Sequence, residues 1–297
     1  MVTDAGIVID KLSKRYSGSD RYALRDLSLT VEPGEVYGFL GPNGAGKSTT
    51  IRTLMGFLGP TKGSASIVGL DVVRDSVQVK RHVGYLSGDM AIYPKLTGRE
   101  YLDYMSQLQA PASMAYRQEL TKRLQCTTTK RVGELSRGNR QKIALVQAFM
   151  SQPSVLILDE PTSGLDPLMQ DVFYELVREA RQRGTSVFMS SHILGEVQKV
   201  CDRFGVLRAG KLVAEQSLDD MASQAAQTFD VMFAGAAPIA KLKKIPGLKI
   251  ARHDGQTVSF HMNGELTALF ALLAQYPVTH IDTQEINLED LFRHYYQ

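Results

Sequence analysis

Residues 41–48 form the glycine-rich segment Gly41-Pro42-Asn43-Gly44-Ala45-Gly46-Lys47-Ser48, which matches the pattern G-x-x-x-x-G-K-[ST]. The apolar run Val36–Leu40 precedes it and predicts a buried strand, while residues 48–56 after it predict a helix. Glycines in this order let backbone N–H groups turn inward around phosphate oxygens, and a helix N-terminus adds partial positive charge. We therefore predict a phosphate-binding loop; the alternative is a glycine-rich turn with a solvated lysine.

In such a loop the lysine, Lys47, reaches the β- and γ-phosphates of a nucleotide, and the Ser48 hydroxyl binds Mg²⁺. The residues predicted to contact the nucleotide here are Gly41, Pro42, Asn43, Gly44, Ala45, Gly46, Lys47, Ser48 and Thr49. The loop alone does not distinguish a kinase from a GTPase or a motor ATPase.

A second apolar run, residues 155–158, predicts another buried strand and is followed by Asp159 and Glu160. An aspartate at the end of a buried strand suits a Mg²⁺ ligand, and the next acid is placed to orient or deprotonate a water that attacks the γ-phosphate. The alternative is an acidic loop that caps a strand. In combination with the phosphate loop, we interpret Asp159 as a metal ligand and Glu160 as the catalytic base.

A third apolar run, residues 187–190, ends just before His192. Ligands of open α/β sheets gather at the carboxyl ends of the strands. We therefore expect Gly41, Asp159 and His192 to converge from three strand ends, with His192 donating a hydrogen bond to the γ-phosphate. The other five histidines are interpreted as surface or core residues.

Composition excludes several classes of protein. The chain has 297 residues, which suggests about two domains, and it is 43% hydrophobic and 22% charged, as globular proteins are. No apolar run approaches the length of a membrane-spanning helix, and the first ten residues do not resemble a secretory signal. Two distant cysteines fit a reducing compartment, and a net charge of +3 is too small to argue for nucleic acid.

The composition of the sequence changes near residue 220, where a polar, alanine-rich stretch lies. Beyond it the apolar runs predict the order βαββαβ, with a hairpin at His253-Asp254-Gly255 and a closing helix over residues 288–295. Residues 96–150 predict helices inserted beside the sheet. We predict a first domain over residues 1–222, with its helical part at about 88–150, and a small α+β domain, similar to a split βαβ unit, over 223–297.

Further motifs resemble the ATPase subunit of ABC transporters. The segment Leu135-Ser136-Arg137-Gly138-Asn139-Arg140-Gln141-Lys142 resembles the family's signature, and Ser163-Gly164-Leu165-Asp166 resembles its D-loop. Lys14-Arg15-Tyr16 resembles the A-loop, and His192 matches the switch histidine. The resemblance covers residues 5–220 and implies an α/β fold: a P-loop NTPase cassette of the ABC type with a helical insert.

The resemblance also implies how such a chain works. Tyr16 stacks on adenine, and Ser136 and Gly138, ahead of a helix predicted over residues 140–150, bind the ATP held by an opposite cassette. Asp166 couples the two halves. The implied cofactors are ATP and Mg²⁺, and the implied partners are a second cassette, as a homodimer, and an integral membrane permease, with no nucleic acid. The implied location is cytoplasmic, peripheral on the inner face of the membrane through the permease.

Two positions depart from the family pattern. Arg137 replaces a signature glycine; it either adds a cation near the phosphates or points to solvent, and we favour solvent. Gly88 stands where the family has a glutamine that contacts Mg²⁺ and water, and Asp89 is the candidate substitute as a metal ligand.

Residues 92–100, the added C-terminal domain and the ending 288–292 further resemble single-cassette exporter ATPases of bacteria. The function implied is ATP hydrolysis that powers export through a separate permease. The alternatives are a soluble cassette ATPase acting on nucleic acid or the ribosome, and a P-loop kinase or GTPase, which explains neither the signature nor the D-loop. We interpret the C-terminal domain as a structural or dimer-stabilising addition in preference to a ligand sensor.

Overall fold

A computed structural model describes residues 6–88, 93–108, 113–218, 220–221, 227–262 and 264–284. The chain divides into two compact units, Met1–Gln216 and Ser217–Gln297. The predicted domain boundary between residues 222 and 223 falls among residues outside the described ranges and stays a prediction. Asp89, the helix over residues 288–295 and the ending 288–292 also lie outside the described residues.

The elements of the first unit are, in chain order, β1 (Ile7–Arg15), β2 (Tyr22–Val31), β3 (Val36–Leu40), α1 (Lys47–Leu54), β4 (Lys62–Ile67), β5 (Leu70–Asp71), α2 (Ser76–His82), β6 (Val83–Leu86), α3 (Gly98–Leu108), α4 (Met114–Arg123), a 3₁₀ turn (Val132–Glu134), α5 (Arg137–Phe149), β7 (Val155–Asp159), α6 (Pro167–Gln182), β8 (Ser186–Ser191), α7 (Leu194–Val200), β9 (Arg203–Arg208) and β10 (Lys211–Ser217).

A six-stranded sheet with the order β10-β9-β3-β8-β7-β6 forms the centre of this unit. The pairs β9–β3, β3–β8, β8–β7 and β7–β6 are parallel, so these strands end at one edge of the sheet. Every residue of β3, β7 and β8 is buried, because other elements cover both faces of this sheet. The three strands predicted from apolar runs are confirmed, and so is the α/β class.

A four-stranded antiparallel sheet, with the order β2-β1-β4-β5, packs against the central sheet. Ile7 and Leu24 from the antiparallel sheet share one core with Phe39 of β3 and with Ile51 and Leu54 of α1. Burying each such side chain contributes about 1.5–3 kcal/mol. This packing holds α1, and therefore the loop that precedes it, between the two sheets.

The inserted helices α3, α4 and α5 lie within the predicted range, but the start of α5 was predicted wrongly. The helix begins at Arg137 rather than at residue 140, because Ser136 is its N-cap and accepts a hydrogen bond from the Asn139 N–H at 3.3 Å. Gly138 therefore lies in the first turn of the helix rather than before it. Helix α1 likewise spans Lys47–Leu54 instead of residues 48–56.

The second unit contains β11 (Gln227–Phe233), α8 (Ile239–Leu242), β12 (Leu248–Asp254), β13 (Thr257–Met262), α9 (Thr267–Leu273) and β14 (Val278–Gln284). The predicted order βαββαβ is confirmed, and the strands form an antiparallel sheet with the order β12-β13-β11-β14. Phe229, Phe260 and Leu269 share its core.

One detail of the hairpin differs from the prediction. His253 and Asp254 belong to β12, and the two-residue turn is Gly255-Gln256, with Gly255 at a φ of +56°. None of the helices in the described ranges has the length and apolar composition needed to span a bilayer.

Candidate functional site

The glycine-rich loop connects β3 to α1, as the sequence predicts. Gly46 is the N-cap of α1 and has a φ of +115°, where a side chain would be strained. A Cβ on Gly46 would also lie only 2.7 Å from the carbonyl oxygen of Ala23. A glycine is therefore required here to bring the loop back over the start of the helix, where free N–H groups attract anions.

Lys47 is almost fully buried, with 6% of its surface exposed. Its Nζ donates a hydrogen bond to the Gly41 carbonyl at 2.6 Å and lies 3.4 Å from Oε1 of Glu160. A buried ammonium is costly unless it is paired, and here both partners are supplied by the site. The contact with Glu160 is one that an incoming phosphate can replace.

The two acids after β7 are held in place by Ser190, at the end of the neighbouring strand β8. The Ser190 hydroxyl donates to Oδ1 of Asp159 at 2.6 Å and accepts the backbone N–H of Glu160 at 3.1 Å. Glu160 has a φ of +51°, a left-handed conformation that is uncommon for a residue other than glycine. Sequence analysis missed Ser190; its position at the end of an adjacent parallel strand was the available signal.

Glu160 lies between a cation and a histidine. Its Oε2 is 2.6 Å from Nδ1 of His192, while Oε1 faces Lys47. His192 is half exposed and Glu160 is mostly buried. The carboxylate is thus oriented by contacts on both sides, as a base that positions a water must be.

These residues surround one cavity of about 410 Å³. The predicted site residues that line it are Pro42, Asn43, Gly44, Gly46, Lys47, Ser48, Thr49, Asp159, Glu160 and His192; Ala23, Gly88, Arg137 and Ser163 complete the described lining. The expected convergence from three strand ends is therefore present, although Gly41 and Ala45 themselves do not line the cavity. The Gly41 carbonyl faces Lys47, and Ala45 is buried.

Tyr16 stands beside the loop rather than in the cavity. Its hydroxyl is 3.2 Å from Oγ1 of Thr49, and the residue is 41% exposed. Lys14 Nζ lies 5.8 Å from the centre of the ring. The Tyr16 ring is therefore partly exposed next to the phosphate loop.

Three further predicted residues lie outside this cavity of their own chain and have structural roles there. Ser136 caps α5, and Gly138 packs so close to Gly164 that a Cβ would lie 2.7 Å from the Gly164 carbonyl oxygen. Asp166 caps α6 by accepting the Met169 N–H at 3.0 Å.

A buried carboxylate that sequence analysis missed connects two of the motifs. Glu196 in α7 is 6% exposed and accepts hydrogen bonds from the hydroxyls of Thr162 and Ser191. Thr162 precedes the D-loop segment and Ser191 precedes His192. Glu196 therefore fastens the segment after Glu160 to the segment that carries the histidine.

The two departures from the family pattern both line the cavity. A Cβ on Gly88 would lie 3.2 Å from Oδ2 of Asp159, so residue 88 faces the acid but contributes no side chain. Arg137 is exposed, which agrees with the interpretation that it points to solvent, and its Nη2 also donates to the Ser163 hydroxyl at 2.8 Å, because the backbones of Gly138 and Gly164 approach closely enough to bring the arginine over the D-loop.

The donors present fit a magnesium ion. Ser48 offers a hydroxyl and Asp159 a carboxylate, and both line the cavity. Mg²⁺ takes oxygen ligands and typically uses one or two protein side chains together with substrate phosphates and water.

Comparisons with known proteins agree with this geometry. A family model described as "ABC transporter" matches residues 24–163, and one described as an AAA domain, putative AbiEii toxin, matches residues 130–197. The ATP-binding protein NatA of Bacillus subtilis is 34% identical over 72% of this chain and 91% of its own length. The daunorubicin resistance ATP-binding protein DrrA3 of Streptomyces coeruleorubidus is 31% identical over 99% of this chain and 96% of its own.

Among solved structures, the dimeric cassette MJ0796 in a post-hydrolysis state, bound to ADP and Pi, has the same fold. It superimposes with a TM-score of 0.65 at 22% identity, over 71% of this chain and 98% of that one.

Proposed function

The chain belongs to the family of ABC transporter ATP-binding proteins, and from this membership we propose that it powers export of a substrate through a separate membrane permease. It is an ATPase, as the motifs predict, and its family role is in transport. One observation carries the proposal for the site: Lys47, Asp159, Glu160 and His192 converge on a single cavity.

Binding of the triphosphate uses groups that are already in place. The phosphates lie along the loop of residues 41–48 and at the N-terminus of α1, where the Lys47 ammonium exchanges its contact with Glu160 for phosphate oxygens. Tyr16 supports the adenine with its exposed ring, next to Thr49. Ser48 and Asp159 would hold Mg²⁺, which when bound neutralises charge on the phosphates.

Hydrolysis uses Glu160 and His192. Glu160, released from Lys47, orients the attacking water and takes its proton on the carboxylate, while the His192 ring faces the terminal phosphate. Most of the rate comes from positioning and charge stabilisation, which is why the left-handed backbone at Glu160 and its anchoring by Ser190 matter.

Two copies of the chain complete the reaction. Ser136 and Gly138 lie outside the cavity of their own chain, and the exposed N-terminus of α5 is free to face an anion held by a second copy. Asp166 couples the halves. The fold shared with a dimeric cassette supports a homodimer that closes on ATP and opens after hydrolysis.

The membrane partner is an integral permease that binds this chain near residues 88–99. The chain is then cytoplasmic and lies against the inner face of the membrane. Similarity to a protein described as a daunorubicin resistance ATP-binding protein over nearly its full length supports export as the direction. The two curated relatives reported above are described as ATP-binding proteins, one of an ABC transporter and one of drug resistance, and not as ribosome or nucleic-acid factors.

The test is the Glu160→Gln variant, which keeps the shape of the side chain but cannot take the proton. We expect this variant to form a stable dimer in saturating Mg-ATP, measured by gel filtration with light scattering, and to stay monomeric in ADP. The matched control is Glu160→Gln combined with Lys47→Ala, which should not dimerise. A strictly monomeric Glu160→Gln protein in Mg-ATP would contradict the proposal. If the parent protein is absent from the membrane fraction of cells that contain the permease, the transport role is contradicted.

A further inference from the structure

Arg137 is held over the D-loop of its own chain. Its Cγ, Cδ and Nε lie 3.5–3.7 Å from the position that a Cβ on Gly164 would occupy, and its Nη2 donates to the Ser163 hydroxyl at 2.8 Å. The preceding residue, Ser136, turns to cap α5 and does not line the cavity. Of these two neighbouring residues of the signature segment, Ser136 therefore faces the start of α5, while Arg137 faces the D-loop and lines the cavity.

The Arg137 side chain is exposed to solvent, and in the part of the chain that the structure describes no acid pairs with its charge. Among the residues that the structure describes, no carboxylate lies within 4.0 Å of its guanidinium, and its hydrogen bond goes to a neutral hydroxyl. The other cation of the cavity, Lys47, is paired with Glu160. A guanidinium has five N–H donors in a planar fork that suits phosphate oxygens, so Arg137 has donors to spare.

Arg137 lines the same cavity as Lys47, Asp159, Glu160 and His192. Gly88, which also lines the cavity close to Asp159, contributes no side chain to it. The cavity that contains Lys47 is thus lined by a second cation of the same chain, one that has no acid partner among the described residues.

We propose that Arg137 is a phosphate-binding residue of its own chain's cavity, where its guanidinium contacts the terminal phosphate of the nucleotide held by Lys47. This inference rests on the proposed function and adds a residue to that same site. Because the cation stands on the D-loop, its contact distinguishes a nucleoside triphosphate from a diphosphate before a second copy arrives.

The first test measures nucleotide affinity in the full-length chain, at protein concentrations where it is monomeric, with fluorescent ATP and ADP analogues. We expect Arg137→Gln to weaken ATP binding about 10-fold and to leave ADP binding within about twofold, because a charge-assisted hydrogen bond is lost only with the triphosphate. Arg137→Lys should recover part of the loss. Arg131→Gln, an exposed arginine outside the cavity, is the matched control and should bind both nucleotides as the parent does.

A purely structural role for Arg137 makes a different prediction. If the arginine only fastened α5 to the D-loop, Ser163→Ala would reproduce the effect of Arg137→Gln, since it removes the same hydrogen bond. We expect Ser163→Ala to keep the preference for ATP over ADP. Equal loss in the two variants, or an ATP affinity that Arg137→Gln leaves unchanged, would overturn the inference.

A second test separates action within one chain from action across the pair. Lys47→Ala mixed with Ser136→Ala should recover hydrolysis, because one composite site then has an intact lysine and an intact opposite serine. Lys47→Ala mixed with Arg137→Gln should recover clearly less, since the chain with the intact lysine lacks its own arginine. Equal recovery in the two mixtures would mean that Arg137 acts across the pair and would overturn the inference.

The proposed function fails separately from this inference. A parent protein that binds no ATP, or a Glu160→Gln variant that does not dimerise, would refute the function itself. A normal parent with an Arg137→Gln variant that binds ATP as tightly as the parent would refute only the role of Arg137.

Discussion

The central sheet has a cluster of charged residues at the amino ends of its strands and another at the carboxyl ends. In the first cluster the charges pair with one another, and in the second they do so only in part. At the amino ends of the strands, Arg203 of β9 pairs with Glu35 at 2.8 Å and Glu215 at 3.1 Å, and donates to the Thr30 carbonyl. Its guanidinium also lies 5.2 Å from the centre of the Tyr37 ring. The charges of this cluster are therefore paired with one another, and we call it the saturated cluster.

Burial reinforces this saturated cluster. Tyr37 is fully buried, and its hydroxyl donates to Glu215 at 2.8 Å. Desolvation, together with the charge of Glu215, raises the pKa of Tyr37 far above its usual value, so the phenol stays protonated at neutral pH.

At the carboxyl ends of the strands, by contrast, the charges surround an open cavity. Lys47 shares Glu160 with His192, and the one partner of the Arg137 guanidinium among the described residues is the neutral hydroxyl of Ser163. The contacts here are those that a phosphate and a metal can exchange. One sheet thus carries a cluster whose charges pair with one another and a cluster whose groups surround a cavity, where we propose that the nucleotide binds.

We expect the largest effect from a substitution in the cavity at the carboxyl ends of the strands. Replacing Lys47 with alanine removes the buried cation of the cavity, and we expect ATP hydrolysis to fall at least about 100-fold while thermal stability changes little. A phosphate-release assay and a melting curve measure the two. Lys62→Ala, an exposed lysine in β4, is the control. Parent turnover in Lys47→Ala would refute the role assigned to this lysine.

The buried carboxylate Glu196 should come next, because it links both motifs at the open end but is itself saturated. Glu196→Ala leaves the hydroxyls of Thr162 and Ser191 without their acceptor, and we expect a loss of about 2–4 kcal/mol in the free energy of unfolding. Urea denaturation measures it. Glu196→Gln, which can still accept one hydrogen bond, should lose less. Equal stability of the alanine variant and the parent would show that this link carries no energy.

The saturated end should affect stability without affecting binding. Arg203→Met leaves the mostly buried Glu35 without its cation, and we expect about 1–3 kcal/mol of lost stability. Affinity for ATP, measured by fluorescence titration, should match that of the parent, since this cluster lies at the opposite end of the strands. A changed affinity for ATP with an unchanged free energy of unfolding would contradict the distinction between the two ends of the strands.

The smallest effect should come from an exposed ion pair. Hydrogen bonds from Arg123 hold the pKa of Glu179 below its ordinary value of 4.5. Because the folded pKa is the lower one, the pair stabilises the protein above about pH 4.5, and the contribution disappears as the pH falls through the folded pKa.

Glu179→Gln should therefore cost under about 1 kcal/mol at neutral pH and nothing at strongly acidic pH, as shown by urea midpoints measured from pH 3 to 7. A cost that is the same at every pH would mean that the charge of Glu179 is not the stabilising feature.

Much of the fold could be predicted because its signals are local. The run Val36–Leu40 and residues 155–158 are apolar without alternation, which is typical of a strand covered on both faces. The order of elements after residue 227 followed from alternation and turn residues in the same way. The start of α5 was missed because a serine N-cap, which depends on one side-chain hydrogen bond, sets it.

The site could be predicted only in part. Lys47, Asp159 and Glu160 are recognisable because each follows a strand in a known pattern, but Ser190 and Glu196 have ordinary neighbours in the sequence. Their roles arise from strands that pair side by side, so that a residue at the end of β8 meets a residue at the end of β7. For Ser190 the available signal is its place at the end of a strand, and for Glu196 its own segment holds no such signal.

By itself the sequence determined where the phosphate loop lies and which strands are buried, since glycine conformation and apolar runs act on neighbouring residues. Only the tertiary structure decided that Arg137 meets Ser163, that Glu196 joins Thr162 to Ser191, and that the charges of one sheet end are satisfied while those of the other are not. The physical reason is that hydrogen bonds and ion pairs depend on distances in space. For residues far apart in the sequence, these distances are fixed only when the sheets and helices pack together.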